Sequence, residues 1–137
     1  MVLVDTSVWS LILRRKHGDL NPRQRALGEA LTRLIQHNAV VLIGPLRQEI
    51  LSGIRSEAQY EQLRSYLRDF PDEPLTADDY ESAAALSNSL LSRGEVSSGV
   101  DALIAAIAIA RQWQLFTTDS AFNRWARHLP LHLLAVE

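Results

Sequence analysis

The sequence contains no cysteine, and this absence removes several kinds of chemistry at once. Without cysteine the chain forms no disulfide, and it offers no thiol nucleophile, thiolate zinc site or iron–sulfur cluster. Nothing in the composition therefore points to an oxidising compartment. The N-terminus reads Met-Val-Leu-Val-Asp and lacks the basic n-region of a signal peptide, so we expect a cytoplasmic protein.

Long apolar runs and an excess of positive charge are missing as well. The longest uninterrupted apolar run, residues 102–110, is far shorter than the roughly 20 residues that cross a bilayer. We therefore expect a buried helix there and no membrane partner. The formal net charge of −2 argues against a protein that holds nucleic acid by bulk charge alone. It does not exclude a nuclease, because local basic patches and metal ions can supply the positive field.

The residues that are present suffice for one globular domain. The chain has 137 residues, of which 47% are hydrophobic, and a chain near this length buries roughly 68–70% of its unfolded surface. We therefore predict a single domain over residues 1–137. Strands predicted at 2–4, 40–43, 115–117 and 131–135, with a further short strand at 72–75, alternate with helical stretches. This alternation predicts an α/β fold around a mostly parallel sheet.

Three aspartates stand where such a sheet places its ligands. Asp5 directly follows the first predicted strand, Asp119 follows the strand at 115–117, and Asp101 lies in the first turn of the apolar helix. Ligand crevices of open parallel sheets lie outside the carboxyl ends of the strands, so Asp5 and Asp119 are candidates for one crevice. Each aspartate taken alone is also explained as a helix cap, and Ser98-Gly-Val-Asp101 matches a capping box.

A fourth carboxylate, Glu49, lies on the third predicted helix and is expected to border both core and cleft. An ordinary half-exposed glutamate paired to Arg47 or Arg55 is the alternative. If the four acids meet, each like-charge pair at ~4 Å costs about 4 kcal/mol at a dielectric constant of about 20. Either some of them protonate, or a divalent cation neutralises them. Oxygen ligands alone favour Mg²⁺ or Mn²⁺ over Zn²⁺.

Four stretches of the chain together resemble a known family. They are Val4-Asp5-Thr6-Ser7-Val8-Trp9, the segment 47–53 around Glu49, Asp101-Ala-Leu-Ile-Ala-Ala106, and Thr117-Thr-Asp119-Ser-Ala-Phe122. The sequence is similar over essentially its whole length to the PIN-domain ribonucleases, in particular the VapC toxins of type II toxin–antitoxin systems. The resemblance implies a three-layer α/β/α fold with a five-stranded parallel sheet, and endonucleolytic cleavage of RNA with Mg²⁺ or Mn²⁺. It also implies a homodimer and a VapB-like antitoxin that inserts a segment into the active-site groove.

The resemblance also assigns roles by position. It makes Asp5, Glu49, Asp101 and Asp119 the catalytic acids and metal ligands, and Thr6 or Ser7 and Thr117 the hydroxyls that brace them. A glycine often ends the central helix of this family, whereas Arg111-Gln112-Trp113-Gln114 stands here. Contact with RNA would depend on local basic residues such as Arg14, Arg15 and Lys16, for which a solvated helix end is an equally good explanation.

The resulting hypothesis is in-line hydrolysis of an RNA phosphodiester by a metal-activated water, which needs no protein general base. Two alternatives stay open. A phosphoryl-transfer enzyme would use Asp5 as nucleophile, although Ser7 stands where its second acid is expected. A non-catalytic domain would keep the acidic pocket for binding alone.

Other polar residues are predicted to lie outside the site. No Gly-x-Ser-x-Gly elbow supports a serine hydrolase. Surface or capping roles are predicted for the histidines, and a solvated helix start is predicted for the acids at 78–81, because both residue types suit helix ends. These residues are His17, His37, His128 and His132, and Asp78, Asp79 and Glu81.

Overall fold

A computed structural model describes residues 1–13 and 17–137. The basic residues Arg14, Arg15 and Lys16, predicted to end the first helix, lie outside the described residues. None of the described helices is long and apolar enough to span a membrane. The strands β1 to β4 are Val2–Val4, Val40–Val41, Gln114–Phe116 and His132–Leu133. The helices α1 to α7 are Thr6–Leu13, Pro22–Gln36, Gly44–Leu51, Glu57–Leu67, Ala77–Ser92, Gly99–Arg111 and Ser120–Trp125, with a 3₁₀ turn at His17–Asp19.

The strands form one parallel sheet in the order β2-β1-β3-β4. Val2 of β1 pairs with Val40 on one side and with Gln114 on the other. The chain therefore leaves β1 toward one edge of the sheet and returns to β3 on the opposite side. Because right-handed crossovers that run in opposite directions cover opposite faces, helices lie on both sides of the sheet. The predicted α/β fold with a parallel sheet is confirmed, and β1 and β3 flank its topological switch point.

The described residues form four strands, not the five that the family resemblance implied. The strand predicted at 72–75 is reduced to a single parallel bridge between Leu42 and Asp72. One backbone hydrogen bond, from the Glu73 N–H to the Leu42 carbonyl at 2.8 Å, supports this bridge. Pro71 and Pro74 stand on either side and have no N–H to donate, so the ladder does not extend.

The apolar helix α6 is buried along most of its length, as predicted. Every residue from Ala102 to Ala108 is buried, and α5 packs along this helix. Burial on all sides explains why its sequence shows no polar face. The core therefore fixes α6 from Ala102 onward, directly after Asp101.

A left-handed turn ends α6 and leads into β3. Gln112 has φ 57° and ψ 39°, and the Trp113 N–H donates to the Ala108 carbonyl at 2.9 Å, as in a Schellman turn. Residues other than glycine pay roughly 1–2 kcal/mol for the left-handed conformation. The turn that a glycine often makes in the resembled family is thus kept, with glutamine bearing the strain.

Replacing Gln112 with glycine should therefore stabilise the protein. We expect a gain of up to about 1 kcal/mol for Gln112→Gly, because the strain relieved exceeds the added entropy of the unfolded glycine. Gln112→Ala, which removes the same side chain but keeps the Cβ, should give no such gain. Urea unfolding measures both variants, and a glycine variant less stable than the alanine variant would contradict the assignment.

Asp79 is buried and ion-paired, so the prediction that it belongs to a solvated helix start is wrong. It is only 7% exposed, and its carboxylate accepts a hydrogen bond from the Thr76 N–H at 2.8 Å in a capping box. The Arg111 guanidinium donates to both carboxylate oxygens. These bonds, with that of Arg111 the stronger, hold the pKa of Asp79 well below its usual range. The pair joins the end of α6 to the start of α5.

This pair should make stability depend on pH in acid. The unfolded pKa of an aspartate is about 3.9, so the contribution of Asp79 is complete above about pH 5 and is lost as the pH falls toward its lower folded pKa. We expect Arg111→Met to lower the melting temperature by several degrees at pH 7 and to flatten its decline below pH 4. Thermal unfolding from pH 2 to pH 7 checks this, and an unchanged acid slope in the variant would contradict it.

Candidate active site

An open cleft of about 710 Å³ lies at the switch point between β1 and β3. Its walls come from the starts of α1, α6 and α7 and from one side of α3. All four acids predicted from the sequence line it, and within the described residues its lining includes no lysine or arginine. The lining residues are Asp5, Thr6, Ser7, Ser10, Pro45, Gln48, Glu49, Ser52, Ser98, Val100, Asp101 and Asp119.

Asp5 is the most firmly held of the four. It directly follows β1 and is 8% exposed. Its Oδ1 accepts the Thr6 N–H at 2.9 Å, and its Oδ2 accepts the hydroxyls of Ser7 and Thr117, both at 2.8 Å. The predicted bracing by Ser7 and Thr117 is therefore present in the geometry. Thr6 contributes its amide, while its buried hydroxyl has no hydrogen-bond partner among the described residues.

The hydroxyls that hold Asp5 also hold the segment after β3. Thr117 Oγ1 accepts the Asp119 N–H at 3.1 Å, and Ser7 Oγ accepts the Thr118 N–H at 3.1 Å. Asp119 caps α7, since its Oδ1 accepts the Ala121 N–H at 2.9 Å. The capping alternative thus holds for Asp119, but the same exposed side chain also lines the cleft.

Asp101 lies in the first turn of α6. The Ser98 hydroxyl caps this helix by accepting the Asp101 N–H at 3.1 Å. Burial raises the pKa of the Asp101 carboxyl, a hydrogen bond with Ser98 lowers it, and the charges of Asp5, Asp119 and Glu49 raise it. One carboxyl therefore senses all three of the others, which makes the cleft a centre of negative potential.

Glu49 faces the cleft from α3 and is more exposed than predicted. Its neighbour Ile50 is buried and anchors this helix in the core. The Arg47 side chain, one suggested partner of Glu49, forms an ion pair with Asp72 at 3.0 Å. Arg47 also donates to the Leu67 carbonyl at 2.8 Å.

Among the histidines whose side chains the structure describes, none lines the cleft. His37 lies at the C-terminal end of α2, with Nδ1 2.7 Å from the Arg33 carbonyl oxygen, which agrees with its predicted capping role. His132 lies in β4, and His128 contacts Arg93. The side chain of His17 is not among those described.

The lining suits a hard divalent cation. Every charged side chain in the lining is a carboxylate, and hydroxyls and the Gln48 amide supply the other side-chain oxygens. Across residues 1–13 and 17–137, no three carboxylate or imidazole side chains converge into a ready-made ligand set. Mg²⁺ keeps several waters and needs one or two protein carboxylates, so spaced acids fit a partly hydrated ion. The Thr6 hydroxyl without a described partner and the raised pKa of Asp101, caused by burial and by the neighbouring acids, are also consistent with such an occupant.

Comparison with known proteins points to one family. The family model of the PIN domain matches residues 2–128. No curated protein matches the chain by sequence.

Solved structures of toxin–antitoxin systems share the fold. A chain of VapBC2 from Rickettsia felis bound to a DNA fragment from their promoter matches with a TM-score of 0.72 and 19% identity, covering 100% of both chains. A toxin–antitoxin complex from Klebsiella pneumoniae matches with a TM-score of 0.65 and 19% identity over 88% of each chain. VapBC-5 from Mycobacterium tuberculosis, of the VapBC family of toxin–antitoxin systems, gives 0.62 and 19%, covering 98% of this chain and 97% of that one.

Removing one charge from the cleft should stabilise the metal-free protein. Because the pKa of Asp101 is raised in the fold, its charged form opposes folding at pH values above that pKa. We expect Asp101→Asn to gain about 1 kcal/mol at pH 8 in EDTA, as removal of functional-site strain commonly does. Mn²⁺ should stabilise the wild type and have much less effect on the variant.

Thermal unfolding with EDTA or Mn²⁺ makes the comparison. Glu81→Gln is the control, since it removes one charge from an exposed position of α5 outside the cleft. Two results would contradict a cation site at which the charge of Asp101 opposes folding. One is a loss of stability of Asp101→Asn in EDTA, and the other is an equal change of melting temperature with Mn²⁺ in all three proteins.

Proposed function

This chain belongs to the PIN-domain family, and from that premise we propose that it is a metal-dependent endoribonuclease, the VapC-like toxin of a toxin–antitoxin pair. The observation that carries the proposal is that Asp5, Glu49, Asp101 and Asp119 line one cleft at the carboxyl ends of β1 and β3. Clustered like charges oppose folding, so their shared position favours a functional explanation. We infer that residues 1–137 act as one such domain.

In this proposal Asp5 and Asp101 are the principal ligands of Mg²⁺ or Mn²⁺, and Asp119 and Glu49 complete its surroundings directly or through waters. When bound, such an ion polarises a phosphate and lowers the pKa of water, which is the chemistry of phosphodiester hydrolysis. The chain's own contribution is orientation. The Ser7 and Thr117 hydroxyls fix one oxygen of Asp5 and leave the carboxylate a single position.

The charge of the cleft supports an RNA substrate only together with a cation. Within the described lining no basic side chain is available to attract phosphate, and four carboxylates repel it. Phosphate approach therefore depends on the ion that these acids hold. Basic residues, for which the sequence offers Arg14, Arg15 and Lys16 as candidates, would contact the rest of the RNA.

We also propose a VapB-like antitoxin as protein partner and a homodimer as the assembly, acting in the cytoplasm. The support is that the structures sharing this fold include toxin–antitoxin systems and a toxin–antitoxin complex. An acidic cleft whose described lining holds no lysine or arginine is electrostatically complementary to a basic segment of a partner. Occupation of the cleft by such a segment would exclude RNA.

Incubation of total RNA with the protein in Mg²⁺ or Mn²⁺, with and without EDTA, tests the activity directly. We expect discrete new ends, mapped by sequencing, that EDTA abolishes. Intact RNA together with no Mn²⁺ effect on thermal stability would instead indicate a non-catalytic binding domain. Covalent capture of phosphate on Asp5 would indicate a phosphoryl-transfer enzyme.

The variant Asp5→Asn should fold and lose cleavage. Asparagine keeps an oxygen for the Thr6 N–H and nearly the same shape, but it removes the charge that the ion requires. We expect cleavage to fall by about 10²-fold or more, as when a group stabilising transition-state charge is lost. Asp69→Asn, the same change at an exposed position near the end of α4, should cleave normally. Wild-type cleavage by a folded Asp5→Asn would refute the ligand role.

A further inference from the structure

We propose that the ion pair between Glu95 and Arg124 is a positioning clamp that sets the distance between Asp101 and Asp119. This inference rests on the proposed function, because it concerns the spacing of two of its acids. Glu95 lies in the turn that leads from α5 into α6, and Arg124 lies on α7. The clamp thus joins the turn that precedes Asp101 in the chain to the helix that Asp119 caps.

Two contacts connect the same pair of segments. Arg124 Nε donates to Glu95 Oε1 at 2.9 Å, and Arg124 Nη2 donates to Glu95 Oε2 at 3.3 Å. Four residues after Arg124 in the chain, His128 Nδ1 lies 3.3 Å from Nη1 of Arg93. A two-pronged arginine–carboxylate contact fixes orientation as well as distance. A second contact nearby limits rotation about the first.

The Glu95 side of the clamp is rigidly connected to Asp101. Gly94 takes a positive φ of 81°, and the Glu95 N–H donates to the Leu90 carbonyl at 2.9 Å, which locks the turn onto α5. Ser97, two residues after Glu95, has its Oγ 3.2 Å from the Oγ of Ser87 on α5. The next residue begins the cap of α6. A displacement of Glu95 is therefore passed on to the first turn of α6.

The Arg124 side is equally well connected to Asp119. Helix α7 has only six residues, and its Phe122 and Trp125 are buried and stack edge to face, with ring centroids 4.9 Å apart. The core thus holds one face of α7, and the ion pair holds its exposed side. Glu95 raises the pKa of Arg124 most strongly, and the charge of Asp119 raises it too. The guanidinium is therefore close enough to Asp119 to sense its charge.

The clamp differs from an ordinary stabilising ion pair in what its loss should change. The side chains of Arg124 and Glu95 are 50% and 24% exposed, and exposed pairs contribute little to folding free energy. Breaking the pair should therefore leave the melting temperature nearly unchanged. Metal and substrate geometry are more sensitive, because small misplacements of ligating groups cost activity steeply.

The test compares Glu95→Gln, Arg124→Gln and a charge-swapped double variant, Glu95→Arg with Arg124→Glu. We expect each single variant to need about tenfold more Mn²⁺ for half-maximal RNA cleavage, as losses of supporting contacts around a metal site typically do. The swapped pair should recover most of the wild-type Mn²⁺ dependence. Glu61→Gln breaks the exposed Glu61–Arg64 pair on α4 and serves as the control that changes neither the melting temperature nor the Mn²⁺ dependence of cleavage.

The possible outcomes separate the clamp from the proposed function. An unchanged Mn²⁺ dependence in both single variants, or no recovery in the swapped pair, overturns the clamp. If the wild type neither cleaves RNA nor binds Mn²⁺, the proposed function fails. Amide NMR shifts of the metal-free protein at Asp101 and Asp119 then still test the clamp. They should move in both single variants and return in the swapped pair, and shifts that stay constant would overturn it.

Discussion

Four carboxylates line one cleft at one edge of a parallel sheet, and the free-energy cost of burying and crowding these charges is the constraint on which the described structure of the cleft depends. The fold offsets this cost locally. Asp5 is held by three hydrogen bonds, and Asp101 and Asp119 stand at the starts of helices, where the helix dipole and free amides favour negative charge. The capping and functional explanations of these aspartates are therefore compatible. The hydrogen bonds and the helix N-termini offset part of the free-energy cost of holding charged carboxylates together in the cleft.

The rest of the fold keeps the pieces of this cleft in place. The buried helix α6 presents Asp101 from the core, and its far end is tied to α5 through the Arg111–Asp79 pair. The left-handed turn at Gln112 then directs the chain into β3, whose last residues lead to the Thr117 hydroxyl. Strain at Gln112 and repulsion at Asp101 lie at opposite ends of one helix. Both are tolerated because the helix between them buries an uninterrupted apolar surface.

Much of the fold was predictable from local patterns, and the exceptions share a cause. The parallel sheet, the apolar helix and the positions of the acids after strands follow from periodicity and caps, which depend on near neighbours. The burial of Asp79 was missed because its partner Arg111 lies 32 positions away. The Glu95–Arg124 pair, 29 positions apart, gave no local signal either. The fifth strand was overpredicted, although the two prolines beside residues 72 and 73 already limited its ladder.

Residue type and local order, which the sequence alone determines, made an oxygen-rich acidic site predictable along with the hydroxyls that accompany it. The tertiary structure decided which of these groups meet. Thr117 reaches Asp5 across 112 positions because β1 and β3 pair in a register that places Val4 beside Phe116. Local propensity carries no information about such a register, since it follows from burying both strands in one sheet. The exposure of Glu49 and the absence of three converging ligands in the described chain were likewise decided by packing.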